Sequence, residues 1–486
     1  MDRDIMSVNK FLSKLQKSNS LIIDESNNPY IKELTFSDLA NSIYDNAEEL
    51  NKRGVTKGDK VIIATGNNIA YIVCFFSCLL VGAVPIPLPN TCTSTYLKEV
   101  ISLTEPSLLI VTSVKASLLD NVDAISIQKH CIYSNNLYLV SLKVKDEDRS
   151  LYNKVIMMSS GTTGNPKAIL LDFDKLLLNS LMHIGEIGIT QNDNMLQLLP
   201  MNYSYGLVAN LIGALLSECT FVISESPFSV ANFFKICEKY KITLFGLTPY
   251  NLKQLLSLNK DFPLCINKIT IGGDFAGSQL IGELYKYYDK EVYLTYGLTE
   301  AGPRVFTNRL DRYKSENWEE LGKVIPGIEF KLHNTEIKDG LEFGELLIKS
   351  PTNMLGYYKL RDGIDRSSFQ EDWLKTGDNV FYDKKTGKLS YSNRAKNLIV
   401  CGGEKLLPGY IRKIINQNPL VIDSYVYSKD DAQLGQVPIA EVILLEESMN
   451  NSDSINEISK WCRKHLRKIE VPKEIKIVNK LSKKSK

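Results

Sequence analysis

Net charge is almost lacking in this chain: 58 lysines and arginines stand against 56 acids in 486 residues, a formal +2. A balance of that size supplies no global field for nucleic acid or an anionic membrane, so the partners expected are small molecules or proteins. Paired cysteines are lacking as well. The nine cysteines, Cys74, Cys78, Cys237 and Cys401 among them, are scattered, odd in number and never spaced as CxxC, which argues against a disulfide framework and fits a reducing compartment. The start, Met1-Asp2-Arg3-Asp4-Ile5-Met6, carries acids where a signal peptide needs a basic region, and a cytoplasmic location is the expectation. One uncharged stretch, Ile69 to Leu88, has nearly the length of a membrane span, but Pro85 and Pro87, with Pro89 beyond, break its C-terminal end. It reads as a buried helix followed by an extended edge, with no membrane span. Internal repeats and low-complexity tracts are missing too.

What is present is an ordinary globular composition, 44% hydrophobic and 23% charged, with length for two or more domains. Thr35 is placed to cap a helix in which Phe36, Leu39, Ala40, Ile43, Ala47 and Leu50 recur at helical spacing, closed by Gly54. A strand follows at Lys60 to Thr65. Similar short runs recur at 107–112, 155–159, 195–199, 220–224, 243–247 and 268–271, separated by helical segments. This alternation predicts an α/β domain with largely parallel sheet. From about Glu329 the runs shorten and turns multiply, as at Gly344–Lys349 and Lys388–Ser392, predicting a β-rich subdomain over about 329–393. The expected division is a large domain at 1–393 and a small α+β domain at 394–486, with a helix at Ile455–Leu466 and a strand at Ala440–Leu445.

The sharpest local signal is Ser159-Ser160-Gly161-Thr162-Thr163-Gly164-Asn165-Pro166-Lys167, directly after an apolar strand. Its glycines allow close backbone approach, its N–H groups and hydroxyls can wrap phosphate oxygens, and Lys167 adds a point charge. The GxxxxGK[ST] spacing is missing and Ala168 follows the lysine, so this is no Walker A loop. Taken alone, a Ser/Thr/Gly hairpin without a ligand is an equal alternative.

Further segments remove that ambiguity. The loop resembles the phosphate loop of the adenylate-forming superfamily, which includes acyl-CoA synthetases, nonribosomal peptide synthetase adenylation domains and firefly luciferase. Gly272-Gly273-Asp274-Phe275 resembles its adenine-pocket segment, and Tyr296-Gly297-Leu298-Thr299-Glu300-Ala301-Gly302 its second nucleotide motif. Trp373–Asp378, Asn393–Lys396 and Cys401-Gly402-Gly403-Glu404-Lys405 complete the series in order. The likeness runs from about Leu34 to Leu481.

The resemblance implies an enzyme that joins a carboxylic acid to ATP as an acyl-adenylate, releasing pyrophosphate, and passes the acyl group to a thiol. It implies ATP and Mg²⁺, with Thr299 on the α-phosphate, Glu300 giving a hard oxygen to Mg²⁺, Asp378 accepting both ribose hydroxyls and Tyr296 stacking on adenine. Lys167, Arg394 and Lys405 join the catalytic set, and Thr295 the nucleotide-binding one. Lys396 falls on the hinge about which the family's C-terminal domain rotates between half-reactions, while Gly402 and Gly403 leave room for a pantetheine arm. The alternative for these two glycines is a tight hairpin turn. In-line attack on the α-phosphorus needs positioning and no protein nucleophile, so His130, His183, His333 and His465 read as structural or surface residues.

Two departures matter. The family's terminal Gly-Lys pair falls just past Lys486, so either that lysine lies beyond this sequence or Lys483, Lys484 or Lys486 replaces it. Relatives also commonly carry acids where this chain reads Pro408-Gly409-Tyr410-Ile411-Arg412. The resemblance places Asn202, Tyr203, Gly272, Thr295 and Arg304 in the acid pocket. No aspartate occupies 200–206, which disfavours an α-amino acid and leaves an aryl or short acyl acid. The expected acceptor is the phosphopantetheine of a carrier protein acting in trans, with free coenzyme A as the alternative; a nucleotide-binding relative without turnover is the reading from a different class.

Overall fold

Thr35 accepts from the N–H of Asp38 at 3.0 Å and Asp38 returns a bond to the Thr35 N–H at 3.0 Å, a reciprocal cap that starts the helix Phe36–Lys52. The apolar positions recognised in the sequence form its buried face. In the computed structural model, residues 7–26, 32–112, 124–133, 135–143, 151–159, 166–224, 229–338, 340–360, 363–394, 399–401, 404–406, 408–431, 433–445, 451–479 and 481 are described. For Glu316, Lys338, Asn393, Arg394, Val400, Glu404, Lys405 and Asn451 only the backbone is described.

Asn68 caps the helix Ile69–Leu80, whose residues from Ile69 to Leu79 are all buried. The chain then turns through Gly82 at φ +81° into the strand Val84–Pro87. That strand is the edge of a five-stranded sheet, where a proline's missing N–H leaves no central ladder bond unmade. Among the described residues no helix is long and apolar enough to cross a membrane.

The largest sheet has nine strands. Leu21–Asp24, Thr220–Ile223, Asn194–Gln197, Leu244–Leu247, Lys268–Gly272 and Glu291–Gly297 run parallel in that spatial order. Antiparallel strands close both edges, Lys32–Thr35 on one side, Arg304–Arg309 and Lys323–Val324 on the other. The helices Val230–Lys239, Pro249–Leu256 and Ser278–Tyr287 connect the parallel strands, as the alternation predicts. Gly272 and Gly297 thus stand at neighbouring C-terminal strand ends, where open α/β sheets bind ligands.

One strand departs from that scheme. Lys154–Ser159 turns back on Lys167–Asp172 as an antiparallel hairpin, joined by Gly356–Lys359 and Gly363–Asp365 into a separate four-stranded sheet. Too few residues link the first two strands for a parallel crossover, which needs about a dozen. The hairpin Ala124–Ile132 with Asn135–Leu142 was absent from the strand series read in the sequence. Beyond residue 329, Glu329–Lys338, Leu341–Lys349, Phe369–Gln370, Trp373–Asp383 and Lys388–Arg394 build a five-stranded antiparallel sheet, the β-rich texture expected there.

The small C-terminal domain follows. Its sheet contains Ile399–Cys401, Glu404–Leu406, Val421–Asp431, Gly435–Leu444 and Glu474–Ile477, packed by the helices Pro408–Asn416 and Asn451–His465. Phe343 and Phe381 of the preceding sheet share its hydrophobic cluster with Tyr410 and Ile411. The architecture is α/β, a large N-terminal domain with a β-rich portion and a small α+β C-terminal domain.

Candidate active site

The turn after Glu291–Gly297 gathers most of the site. Gly297 is required there, because an added Cβ would lie 1.9 Å from the Pro303 carbonyl oxygen. Leu298 then closes a bond to that same oxygen at 3.0 Å, and Thr299–Ala301 forms a single 3₁₀ turn. Tyr296 stands at one end of this segment and Glu300 at the other.

At the Tyr296 end, the phenolic hydroxyl donates to Asp378 Oδ2 at 2.7 Å. Burial, then the Asp378 carboxylate, pushes this phenol well above its usual range, so it stays a donor. Asp378 is itself 6% exposed, and its N–H is held by Thr376 Oγ1 at 3.1 Å. The strand register sets Arg394 directly across from Asp378, bringing the backbone of both expected nucleotide residues together.

At the other end, Glu300 Oε1 accepts from the Tyr357 hydroxyl at 3.1 Å. Lys167 Nζ sits over the Tyr357 ring, 4.5 Å from its centroid, within cation–π range. Burial and then Glu300 push the Tyr357 phenol up to about 12. Ser159 pairs with Lys167 across the hairpin mouth. The expected phosphate-loop residues Ser160, Gly161, Thr162, Thr163 and Gly164 lie outside the described residues, as do Lys396, Gly402, Gly403, Lys483, Lys484 and Lys486. Lys405 is placed by its backbone alone, on Glu404–Leu406, in a hairpin with Cys401 opposite Glu404.

Between the two ends lies the expected acid pocket. Thr299 Oγ1 shares a hydrogen bond with Ser204 Oγ at 2.8 Å, tying the nucleotide turn to the segment that carries Asn202 and Tyr203. Gly272 and Thr295 are cross-strand neighbours. A Cβ on Gly272 would meet Thr295 Oγ1 at 2.3 Å and Tyr205 Cε1 at 3.0 Å, so the missing side chain is what lets these groups crowd together. Thr295 Oγ1 lies 3.2 Å from the Tyr205 hydroxyl, which donates to Thr270 Oγ1 at 2.8 Å. Tyr203 is 54% exposed, whereas Tyr205, two residues on, is the ring against Gly272. Gly273 takes φ +82°, and Asp274 is exposed with its carboxylate folded onto the next N–H at 2.8 Å. Phe275 stacks on Tyr391 with centroids 6.1 Å apart.

Arg304, the last of the pocket candidates, has its guanidinium engaged by protein groups. It is 2% exposed, and its guanidinium donates to His183 Nδ1 at 3.1 Å, the Tyr296 carbonyl at 3.3 Å and Thr307 Oγ1 at 2.9 Å. These contacts brace the strand behind Tyr296. Burial brings the Arg304 pKa down to about 10 and, with the Arg304 charge, holds His183 well below 6.5.

Tyr357 and Tyr205 were missed as site residues by sequence reasoning. The segment 200–206 contains Tyr205, but its inward direction is a property of the helical turn Tyr205–Ile212. Tyr357 gives no local signal; only its pairing opposite Ile169 brings it to Lys167.

Among the described residues no group of three or more His, Cys, Asp or Glu gathers into a metal cage. Glu300, beside Lys167 of the expected phosphate loop, suits a hard divalent ion such as Mg²⁺, which takes most of its ligands from phosphate and water.

Known proteins resemble this chain over most of its length. The AMP-binding enzyme family matches residues 21–358, and the AMP-binding enzyme C-terminal domain matches 411–486. The 2-succinylbenzoate-CoA ligase of Bacillus subtilis is 26% identical over 456 residues, spanning 92% of this chain and 90% of that protein. The acyl-CoA ligase sidI of Aspergillus fumigatus is 26% identical over 482 residues, with 90% and 81% covered. Among solved structures, the o-succinylbenzoate CoA synthetase of Bacillus subtilis in complex with its acyl-adenylate intermediate shares the fold at TM-score 0.75 and 24% identity, covering 97% of this chain and 95% of its own. ATP-bound MatB of Rhodopseudomonas palustris does so at TM-score 0.75 and 20% identity, covering 99% and 96%. Fold and site define an AMP-forming acid-thiol ligase. The chain belongs to the AMP-binding enzyme family.

Proposed function

We propose that this enzyme activates an aryl or short acyl carboxylic acid with ATP and transfers it to free coenzyme A. The observation that carries the reading is the turn Tyr296–Glu300, which holds Asp378 by hydrogen bond at one end and carries Glu300 at the other. This five-residue segment thereby has a ribose-binding carboxylate at one end and a phosphate-end carboxylate at the other, as an extended nucleotide requires. In this reading Asp378 accepts the ribose hydroxyls, and Tyr296 stacks on the base. Thr299 and Lys167 meet the phosphates, and Glu300 holds Mg²⁺. When bound, that ion neutralises charge developing on the leaving pyrophosphate.

The chain's own residues supply position. The acid's carboxylate oxygen attacks the α-phosphorus, the α–β phosphoanhydride bond breaks and pyrophosphate leaves. The thiol sulfur of coenzyme A then attacks the acyl carbon, AMP departs and the thiol proton is lost to solvent. Pocket walls of Tyr205, Gly272 and Thr295, with no acid at 200–206 to pair an ammonium group, support an uncharged aryl or short acyl body. The C-terminal domain, 394–486, is read as turning about Lys396 between the steps.

Free coenzyme A, the alternative acceptor in the sequence, is favoured over a carrier protein because relatives across most of the chain are named CoA ligases. Thioester formation from ATP and a responsive acid, measured with coenzyme A and with a phosphopantetheinylated carrier protein in parallel, decides between them. Rapid product with coenzyme A alone supports the proposal, and product with the carrier alone overturns it.

A further inference from the structure

Three chain segments meet at Tyr357. Its strand Gly356–Lys359 pairs with the lysine-bearing strand so that Tyr357 lies opposite Ile169. Side chains alternate along a strand, so Ile169 and Lys167 share a face, and Tyr357 is the diagonal neighbour of Lys167 across the ladder. The residues just before it are stapled on both sides. Thr352 Oγ1 donates to the Ala301 carbonyl at 2.8 Å, Met354 N–H to the Glu300 carbonyl at 2.8 Å, and Leu355 N–H to the Leu170 carbonyl at 2.9 Å. The tyrosine is therefore fixed against both the Glu300 turn and the lysine strand, and its side chain touches the working group of each.

We propose that Tyr357 is a positioning residue that couples the divalent cation to the nucleotide: its hydroxyl orients Glu300 by holding Oε1, and its ring carries the Lys167 ammonium as a separate charge. Both halves follow from one side chain's two chemistries. A phenolic O–H donated to one carboxylate oxygen leaves the other oxygen for a hard cation. A ring face attracts an ammonium without neutralising it, so Lys167 does not collapse onto Glu300, where each charge would cancel the other before phosphate arrived. A phosphate-binding lysine and a cation-binding glutamate can then stand side by side in an empty site. Tyr358, adjacent in sequence, points to the opposite side and serves Lys60 instead, with its ring 5.5 Å from that ammonium.

The inference rests on the ATP-site reading above, and its test is a binding measurement that does not need turnover. ATP affinity of the full chain is measured by calorimetry with and without Mg²⁺, for wild type, Tyr357→Phe and Tyr357→Leu, with thermal midpoints recorded alongside. Phenylalanine keeps the ring and removes the hydroxyl. The Tyr357→Phe variant should bind ATP without Mg²⁺ as wild type does, while the tightening produced by Mg²⁺ falls by about tenfold. Tyr357→Leu should lose several-fold of the Mg²⁺-free affinity as well. Unchanged Mg²⁺ coupling in Tyr357→Phe, to within about twofold, overturns the hydroxyl's role, and equal Mg²⁺-free affinities in all three proteins overturn the ring's. If Tyr357→Leu fails to fold, loss of Mg²⁺-free affinity in Tyr357→Phe still overturns the assignment of lysine positioning to the ring. A wild-type chain that couples Mg²⁺ to ATP yet never releases pyrophosphate would sink the proposed function and leave this inference standing; one that binds no ATP sinks both.

Discussion

Tyr296 and Asp378 lie 82 residues apart in the chain and 2.7 Å apart at their side-chain oxygens. The bond joins the end of the central sheet to the strand Trp373–Asp383 of the β-rich portion, and it orients the carboxylate assigned to ribose. Asp378→Ala should weaken ATP binding by about 1.5–3 kcal/mol, the range for charge-assisted hydrogen bonds, and Tyr296→Phe by about 1 kcal/mol through lost orientation. Calorimetric titration with ATP measures both; an Asp378→Ala variant of unchanged affinity contradicts the assignment.

The acid pocket is tested at Gly272. A methyl group there would sit 2.3 Å from Thr295 Oγ1 and press on the Tyr205 ring. Overpacking of this kind costs about 1–3 kcal/mol, so Gly272→Ala should raise the acid's KM by about tenfold and change the ATP dissociation constant less. Steady-state pyrophosphate release with each substrate varied separately shows which moves. A larger change for ATP than for the acid places Gly272 with the nucleotide alone.

His183 makes stability depend on pH in a stated direction. Its Nδ1 accepts from Arg304, and burial with that neighbouring charge holds its folded pKa well below 6.5. In the unfolded chain the imidazole protonates near pH 6.5. Below that value the unfolded state binds a proton the folded state refuses, so stability falls as pH drops, by up to about 1.4 kcal/mol per unit. His183→Gln keeps an acceptor for Arg304 and removes the titration. Urea unfolding at pH 7.5 and 5.5 should show wild type losing about 1 kcal/mol more than the variant; equal losses contradict the buried neutral imidazole.

Arg412, in the run 408–412 that departs from the pattern the resemblance leads one to expect, bridges two parts of the chain. Its guanidinium reaches Asp423 at 2.8 Å within the C-terminal domain and Glu319 of the large domain at 3.5 Å, and lies 4.8 Å from the Phe275 ring centroid. A glutamate at this position would instead face two carboxylates. Arg412→Ala should loosen this docked arrangement by about 1 kcal/mol, a modest value because the charges keep some solvent contact. Adenylate formation and thioester formation, measured separately, should then change by different factors, with Glu319→Gln acting in the same direction but less. Identical factors for the two steps contradict a role in domain orientation.

The readable and unreadable parts of this protein divide along physical lines. Thr35, Phe36 and Leu39 announced their helix because capping and helical periodicity are local, and the parallel strands announced themselves through β-rich runs between helices. Tyr296, Thr299, Glu300 and Asp378 were named as candidates because each sits inside a short motif. Tyr357 and Tyr205 were not. The first reaches Lys167 through strand pairing between residues far apart in sequence, and the second is aimed by a turn whose direction depends on the neighbouring sheet. Arg304, placed in the pocket by the resemblance, is set by the antiparallel return of Arg304–Arg309 against His183 and the Tyr296 carbonyl. That return, like the hairpin of Lys154–Ser159 with Lys167–Asp172, pairs sequence-adjacent strands antiparallel, a choice of direction that composition does not encode.

The central claim is that this chain forms acyl-adenylates, and acid-dependent pyrophosphate release from ATP and Mg²⁺, screened over aryl, short-chain, long-chain and amino acids, tests it most directly. The expected result is release that requires an acid, is greatest with an aryl or short acyl one, and is accompanied by AMP once coenzyme A is added. Release of inorganic phosphate independent of any acid, or silence across the panel from a protein that binds ATP, would contradict it.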